Sequence, residues 1–186
     1  MNATLEEMAS IRVLVVTVSD TRGLKDDASG AAIVEKLEAA GFSVKRHAPV
    51  RDDLLVIREL VRSSAVLNEA DAIVLCGGTG LAPRDVTPEA IEPLFEKRID
   101  GFGEEFRRRS WNAPAATPWR TNQEHAAAVG ARAMLSRATA GVIAGTIVVA
   151  LPGSPAAADV GTTLLVEMLP HAVDVASGRH GHHEKK

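Results

Sequence analysis

A single cysteine, Cys76, leaves this 186-residue chain without any internal disulfide. It sits in the apolar run Ala72-Ile73-Val74-Leu75-Cys76, where a buried, inert thiol is expected rather than a reactive one. Excess charge is missing too: acids and bases nearly cancel to a formal net charge of -3, which gives no field able to recruit nucleic acid. No apolar segment approaches the roughly 20 residues needed to span a bilayer, and Met1 to Ser10 do not join a basic stretch to an apolar block. Membrane partners are therefore set aside and a cytoplasmic location is expected. Aromatic residues are only 3% against 46% hydrophobic overall, so the core has to be aliphatic, with helices lying close to a sheet.

What is present is a repeated strand, loop and helix grammar. Val13 to Val18 is β-branched without alternation, the pattern of a central strand covered on both faces. A polar loop, Ser19 to Asp27, leads to a helix over 31–40, with Gly41 just past its end. Phe42 to Ala48 reads as a second strand, and Leu54, Ile57, Leu60 and Val61 mark a helix that starts after Asp52-Asp53. Ala72 to Cys76 is a third, buried strand; Thr87-Pro88-Glu89 then supplies a cap, a first-turn proline and a first-turn acid for a third helix. Gly101 to Ser110 reads as helical and 112–120 as irregular. Ala138 to Val142 and Thr146 to Leu151 pair across a turn containing Gly145, and a last helix covers 156–176. These elements predict one domain over 1–186, with flexible tails at 1–10 and 179–186. Its fold class is α/β: three αβα layers, a mostly parallel sheet with helices on both faces, and one antiparallel strand. Ligands are expected at the carboxyl ends of the strands.

Two loops at such ends carry the chemistry. Gly77-Gly78-Thr79-Gly80 follows a buried strand, where residues without a Cβ let several backbone N–H groups converge on an anion. No Gly-Lys-Ser/Thr follows, so this is not a P-loop, and the first strand runs into Ser19-Asp20-Thr21-Arg22-Gly23 rather than a dinucleotide fingerprint. Pro152-Gly153-Ser154-Pro155 is the second loop; Ser154 there caps the last helix and brings a helix N-terminus to the same edge. Nearby acids have two readings. Asp85 serves as a turn cap or as a functional carboxylate, and Asp52 as a helix cap or as a catalytic acid.

The fourteen residues from Gly77 to Ala90 resemble, without a gap, the signature of the MoaB/Mog family of molybdenum cofactor biosynthesis. Further matches run in order: Ser19-Asp20, Asp27-Ala28-Ser29-Gly30, Gly101-Phe102-Gly103-Glu104, Leu135-Ser136-Arg137 and Pro152-Gly153-Ser154-Pro155. The resemblance implies a molybdopterin adenylyltransferase, which moves AMP from ATP to the terminal phosphate of molybdopterin and releases pyrophosphate. It also implies Mg²⁺ held by Asp52 and Asp85, a hard cation bridging phosphate oxygens. Gly77, Gly78, Thr79, Gly80, Pro152, Gly153 and Ser154 are then the pterin-phosphate residues, with Ser136 and Arg137 adding a hydroxyl and a cation. Ser19, Asp20, Asp27, Ser29 and Gly30 become nucleotide contacts, and a homotrimer or hexamer is implied. The alternative within the same family is a carrier that binds molybdopterin without turnover; a nucleotide-binding regulator sharing only the fold is a third reading.

Other features are given plainer roles. Arg107-Arg108-Arg109 is expected on a solvated helix face or a subunit contact, and His180, His182 and His183 belong to the tail, with no structural metal assigned. The stretch 113–133 departs from the family as an insertion with three readings, a lid, a subunit-contact arm or a spacer, among which Trp111 just before it and Trp119 within it would favour a contact.

Overall fold

A computed structural model describes residues 4–20, 27–112 and 131–178. The loop positions 21–26, most of the insertion with Trp119, and the tail histidines lie outside the described residues. The described residues form six strands: β1 (Arg12–Thr17), β2 (Ser43–Arg46), β3 (Ala72–Cys76), β4 (Lys97–Arg98), β5 (Thr139–Ile143) and β6 (Thr146–Leu151). They form one sheet in the order β2-β1-β3-β6-β5-β4. Neighbours from β2 through β6 pair in parallel, while β5 runs antiparallel to both β6 and β4. The β5–β6 hairpin turns on Ala144 and Gly145, both at positive φ (47° and 79°), the twist that matches two right-handed strands.

The helices are α1 (Leu5–Ala9), α2 (Ala28–Ala39), α3 (Leu54–Val66), α4 (Thr87–Ile91), α5 (Asp100–Asn112) and α6 (Pro155–Ala176). Strand side chains alternate between two buried layers. Val13, Val15 and Val74 pack with Ile33 and Leu37 of α2, Phe106 of α5 and Leu165 and Leu169 of α6. Leu14, Val16, Ile73 and Leu75 pack with Ile57 and Val61 of α3 and Ile91 of α4. Burial on both faces explains why these strands read as unbroken apolar runs, each large side chain being worth about 1.5–3 kcal/mol when fully covered.

Three sequence expectations are corrected. Part of the amino-terminal tail is the helix α1, because Thr4 and Glu7 close a reciprocal capping box and Met8 packs against the core. Helix α2 starts three residues before Ala31, because the Asp27 side chain accepts from Gly30 N and caps it there. The two-residue edge strand β4 was not anticipated; with both residues charged and exposed, it lacks the apolar signal that marks a strand.

The register positions the site. Thr17 pairs with Cys76, and Cys76 with Leu151, so β1, β3 and β6 end level with one another. The chain leaves β1 toward the α2 face and β3 toward the α4 face, which opens a crevice at the point where strand order reverses.

Candidate active site

A cleft of about 830 Å³ lies at these strand ends, walled by the loops after β1, β3 and β6 and by the start of α6. The two glycine-bearing loops meet there: a Cβ on Gly153 would stand 3.4 Å from Gly77 Cα. Ser29, at the start of α2, donates its hydroxyl to Gly153 O at 3.0 Å and ties the first loop to the third. Ser19, Asp27, Ser29, Asp52, Asp85, Gly77 through Gly80, Ser136 and Pro152 through Ser154 all border the cleft.

Backbone polarity in the glycine loop is one-sided. Gly77 O accepts from the buried Thr87 hydroxyl at 2.9 Å, and Gly78 O accepts from Thr87 N at 3.0 Å. Thr79 O and Gly80 O accept from the Arg137 guanidinium, Gly80 O at 2.7 and 3.0 Å and Thr79 O at a longer 3.4 Å. The N–H groups of Gly78, Thr79, Gly80 and Leu81 donate to no described residue. Since every described peptide is trans, a carbonyl held from behind turns the following N–H the opposite way. Unpaired amides in succession at a strand end form a cradle for an anion. Gly78 lies at φ +64°, and a Cβ there would collide with Thr87 Oγ1 and stand 2.6 Å from Asp52 Oδ1. Only glycine lets the loop, the threonine and the acid approach this closely.

Asp52 and its neighbour Asp53 divide two jobs that the sequence left open. Asp53 is the N-cap of α3, its carboxylate accepting from Leu55 N and Val56 N at 2.9 and 3.0 Å. Asp52 is thereby released from capping and turns its Oδ1 under the glycine loop, buried and without a hydrogen-bond partner. Burial, then the negative charges of Asp20 and Asp85, push the Asp52 carboxyl above its ordinary value, against the opposing pull of Arg84 and of a hydrogen bond from the Asp20 backbone. Asp20 also holds the loop in place, its Oδ1 accepting from Asp52 N at 3.1 Å. Asp85 is half-buried; Oδ2 accepts from Ala82 N at 2.9 Å, and no described residue donates to Oδ1. Two carboxylates that border one cleft, one of them with a buried oxygen that lacks a hydrogen-bond partner, fit a hard divalent cation, which needs one or two such ligands and keeps waters for the rest. Among the described residues no group of three or more His, Cys, Asp and Glu gathers as a metal cluster.

Several expected roles are corrected. Arg137 offers no free cation to the cleft: its Nε and Nη2 are spent on loop carbonyls, including Asp85 O at 2.8 Å, and its Nη1 pairs with Glu89. Thr87 does not cap α4, where Val86 takes that position; its hydroxyl faces back to Gly77 instead. Ser154 holds the N-cap position of α6 but makes no side-chain cap bond, so its exposed hydroxyl and the N–H groups of Ala156 and Ala157 border the cleft without a partner among the described residues. Asp27 is buried and fully engaged, accepting from Thr17 Oγ1, from Gly30 N at 2.9 Å and from Arg46 Nη2 at 2.6 Å. Burial opposes its ionisation, yet the bonds from Thr17, Gly30 and Arg46 outweigh that and hold its carboxyl below the ordinary value. Asp27 therefore braces the loop after β1. Ser136 Oγ accepts weakly from Ala138 N at 3.3 Å at the cleft rim. Of the arginine run, Arg108 and Arg109 pair with Glu105, and Arg109 also reaches Glu167 at 2.7 Å, which joins α5 to α6. Cys76 is buried as expected, with Sγ 3.9 Å from Pro152 O. Thr87 is the site residue that sequence reasoning missed, because a Thr-Pro-Glu triplet carries the pattern of a cap wherever its hydroxyl points.

Fold and site together define a doubly wound α/β protein with an anion cradle and a pair of carboxylates on the carboxyl edge of its sheet. Residues 14–171 match the family described as a probable molybdopterin binding domain of molybdenum cofactor biosynthesis, and the chain belongs to that family. It is 39% identical over 164 residues to molybdenum cofactor biosynthesis protein B of Bacillus subtilis (strain 168), spanning 88% of each chain. The crystal structure of the tungsten cofactor synthesizing protein MoaB from Pyrococcus furiosus matches with a TM-score of 0.74 at 33% identity, covering 90% of this chain and 97% of that one. The molybdopterin biosynthesis Mog protein from Mycobacterium ulcerans matches with a TM-score of 0.72 at 29% identity, over 90% and 99% of the two chains. No helix among the described residues is long and apolar enough to cross a membrane.

Proposed function

We propose that this protein binds molybdopterin and adenylylates it with Mg-ATP in the course of molybdenum cofactor biosynthesis. The observation that carries the reading is the one-sided glycine loop: its carbonyls from Gly77 to Gly80 are held from behind, and the amides from Gly78 to Leu81 are left for an anion in the cleft. The terminal phosphate of molybdopterin sits on these amides and on the N-terminus of α6 at Ser154, where the helix dipole adds to the donors. An oxygen of that phosphate attacks the α-phosphorus of ATP; a new P–O bond forms, the bond to the bridging oxygen breaks, and pyrophosphate leaves. Mg²⁺ neutralises charge on the phosphates when bound. Asp52 and Asp85 would hold it, the unpartnered Asp52 Oδ1 offering a ligand oxygen beneath the glycine loop. Ser19 and Ser29 border the nucleotide side of the cleft, with Asp27 and Gly30 bracing them and Asp20 reaching it through its bond from Asp52 N.

Incubation with molybdopterin, ATP and Mg²⁺ tests the reading. Pyrophosphate and an adenylylated pterin are expected, and Asp85→Asn is expected to lower turnover at least a hundredfold while circular dichroism stays that of the wild type. Molybdopterin binding without pyrophosphate release would establish the carrier role in its place.

A further inference from the structure

The cradle does not orient itself. A glycine-rich turn has wide backbone freedom, and nothing within Gly77 to Gly80 compels four successive carbonyls to face away from the cleft. Two residues from elsewhere do so, Thr87 through both its hydroxyl and its backbone N–H. Thr87 holds the first two carbonyls, and a planar guanidinium from the segment entering β5 holds the rest. Arg137 meets Gly80 O through both Nε and Nη2, Asp85 O through Nη2 at 2.8 Å, and Thr79 O more loosely through Nε. Glu89 on α4 receives the remaining edge of the fork, which fixes the plane of the guanidinium. The same group therefore grips the loop that carries the amides and the backbone of the residue that carries the Asp85 carboxylate.

We propose that Arg137 is a positioning residue that sets anion cradle and acid in one register. Its charge lies at the carbonyl end of these peptides, so their positive ends point into the cleft, and Asp85 is fixed relative to Gly80 through a shared partner. Its role is thus indirect, and no atom of Arg137 touches the bound anion. The inference rests on the adenylylation reading only for the identity of what the cradle holds.

Binding of Mg-pyrophosphate by calorimetry, together with ¹⁵N order parameters for Gly78, Thr79 and Gly80, tests the proposal on the full chain. Arg137→Ala is expected to weaken binding at least tenfold and to lower those order parameters, with guanidinium ion restoring part of the affinity where equal sodium chloride does not. Arg137→Lys keeps the charge but not the fork and should fall between Arg137→Ala and wild type. Arg62→Ala, which removes an exposed ion pair on α3, is expected to change neither readout. A purely structural Arg137 would shift melting but leave the affinity of the folded protein alone; affinity within twofold of wild type, or unchanged loop order, overturns the proposal. If Arg137→Ala does not fold, Arg137→Lys decides in the same way, wild-type behaviour overturning it. A wild type that binds no Mg-pyrophosphate while the variant's loop loosens sinks the adenylylation reading and leaves the clamp standing.

Discussion

Replacing Thr87 by valine isolates one hydrogen bond on which the cradle depends. Thr87 is fully buried, and its hydroxyl donates to Gly77 O at 2.9 Å. The acceptor cannot swing elsewhere for a partner, because Gly77 N is bonded to Leu151 O and the residue sits at φ +119° against Val18. Loss of the donor therefore removes a neutral hydrogen bond and strands a buried carbonyl, a cost of about 1–3 kcal/mol. Taking ~2 kcal/mol, and ~2–4 °C per kcal/mol for a domain of this size, the melting temperature should fall by about 4–8 °C. Thr87→Ser loses a buried methyl worth ~1 kcal/mol but keeps the donor. Calorimetric melting and Mg-pyrophosphate titration on both variants separate the effects: both melt lower, and only Thr87→Val binds more weakly. A valine variant that melts within about 1 °C of wild type would refute the claim that Gly77 O relies on Thr87.

Asp52→Asn is expected to melt at or above wild type at pH 7 while losing any Mg²⁺-dependent rise in melting temperature. A carboxyl raised in the folded state gives stability below its unfolded value that is lost as pH climbs through the folded value, so at neutrality the ionised acid is a liability. A lower melting point, or a retained Mg²⁺ shift, counts against this. Asp27→Asn runs the other way. Its buried pair with Arg46 should cost ~3 kcal/mol when broken. Because the folded Asp27 value is depressed, wild-type stability from this group is present above the ordinary carboxylate range and lost as pH drops through the folded value. Denaturant midpoints from pH 2 to 7 should therefore fall more steeply with acid in wild type than in the variant. Gly77→Ala and Gly153→Ala should differ sharply although the two residues touch. The first puts a Cβ into the Val18 carbonyl at positive φ, and a loss above ~2 kcal/mol is expected. The second makes an ordinary 3.4 Å contact and should stay within about 1 kcal/mol of wild type by urea melts.

Much of this protein is written locally. The unbroken β-branched runs at Val13 and Ala72, the Gly41 stop and the Gly145 hairpin each depend on neighbours a few residues away, so α/β class and loop positions follow from the chain alone. The glycine signature from Gly77 and the Gly153 loop likewise marked the two loops that meet at the cleft. What the sequence left open was the facing of side chains at turns. Asp52 and Asp53 are adjacent and chemically identical, and only the placement of α3 makes one a cap and the other a cleft acid. Arg137 reads as a cation for the ligand until β5 brings it behind the loop, where backbone carbonyls of residues more than fifty positions away use it up. Convergence of the loops needed the level ends of β1, β3 and β6, a consequence of strand register. Periodicity and turn chemistry act over a few bonds and can be read in order along the chain. Hydrogen-bond direction at a site is set by partners that meet only when the sheet has assembled, and that decision belongs to the tertiary structure.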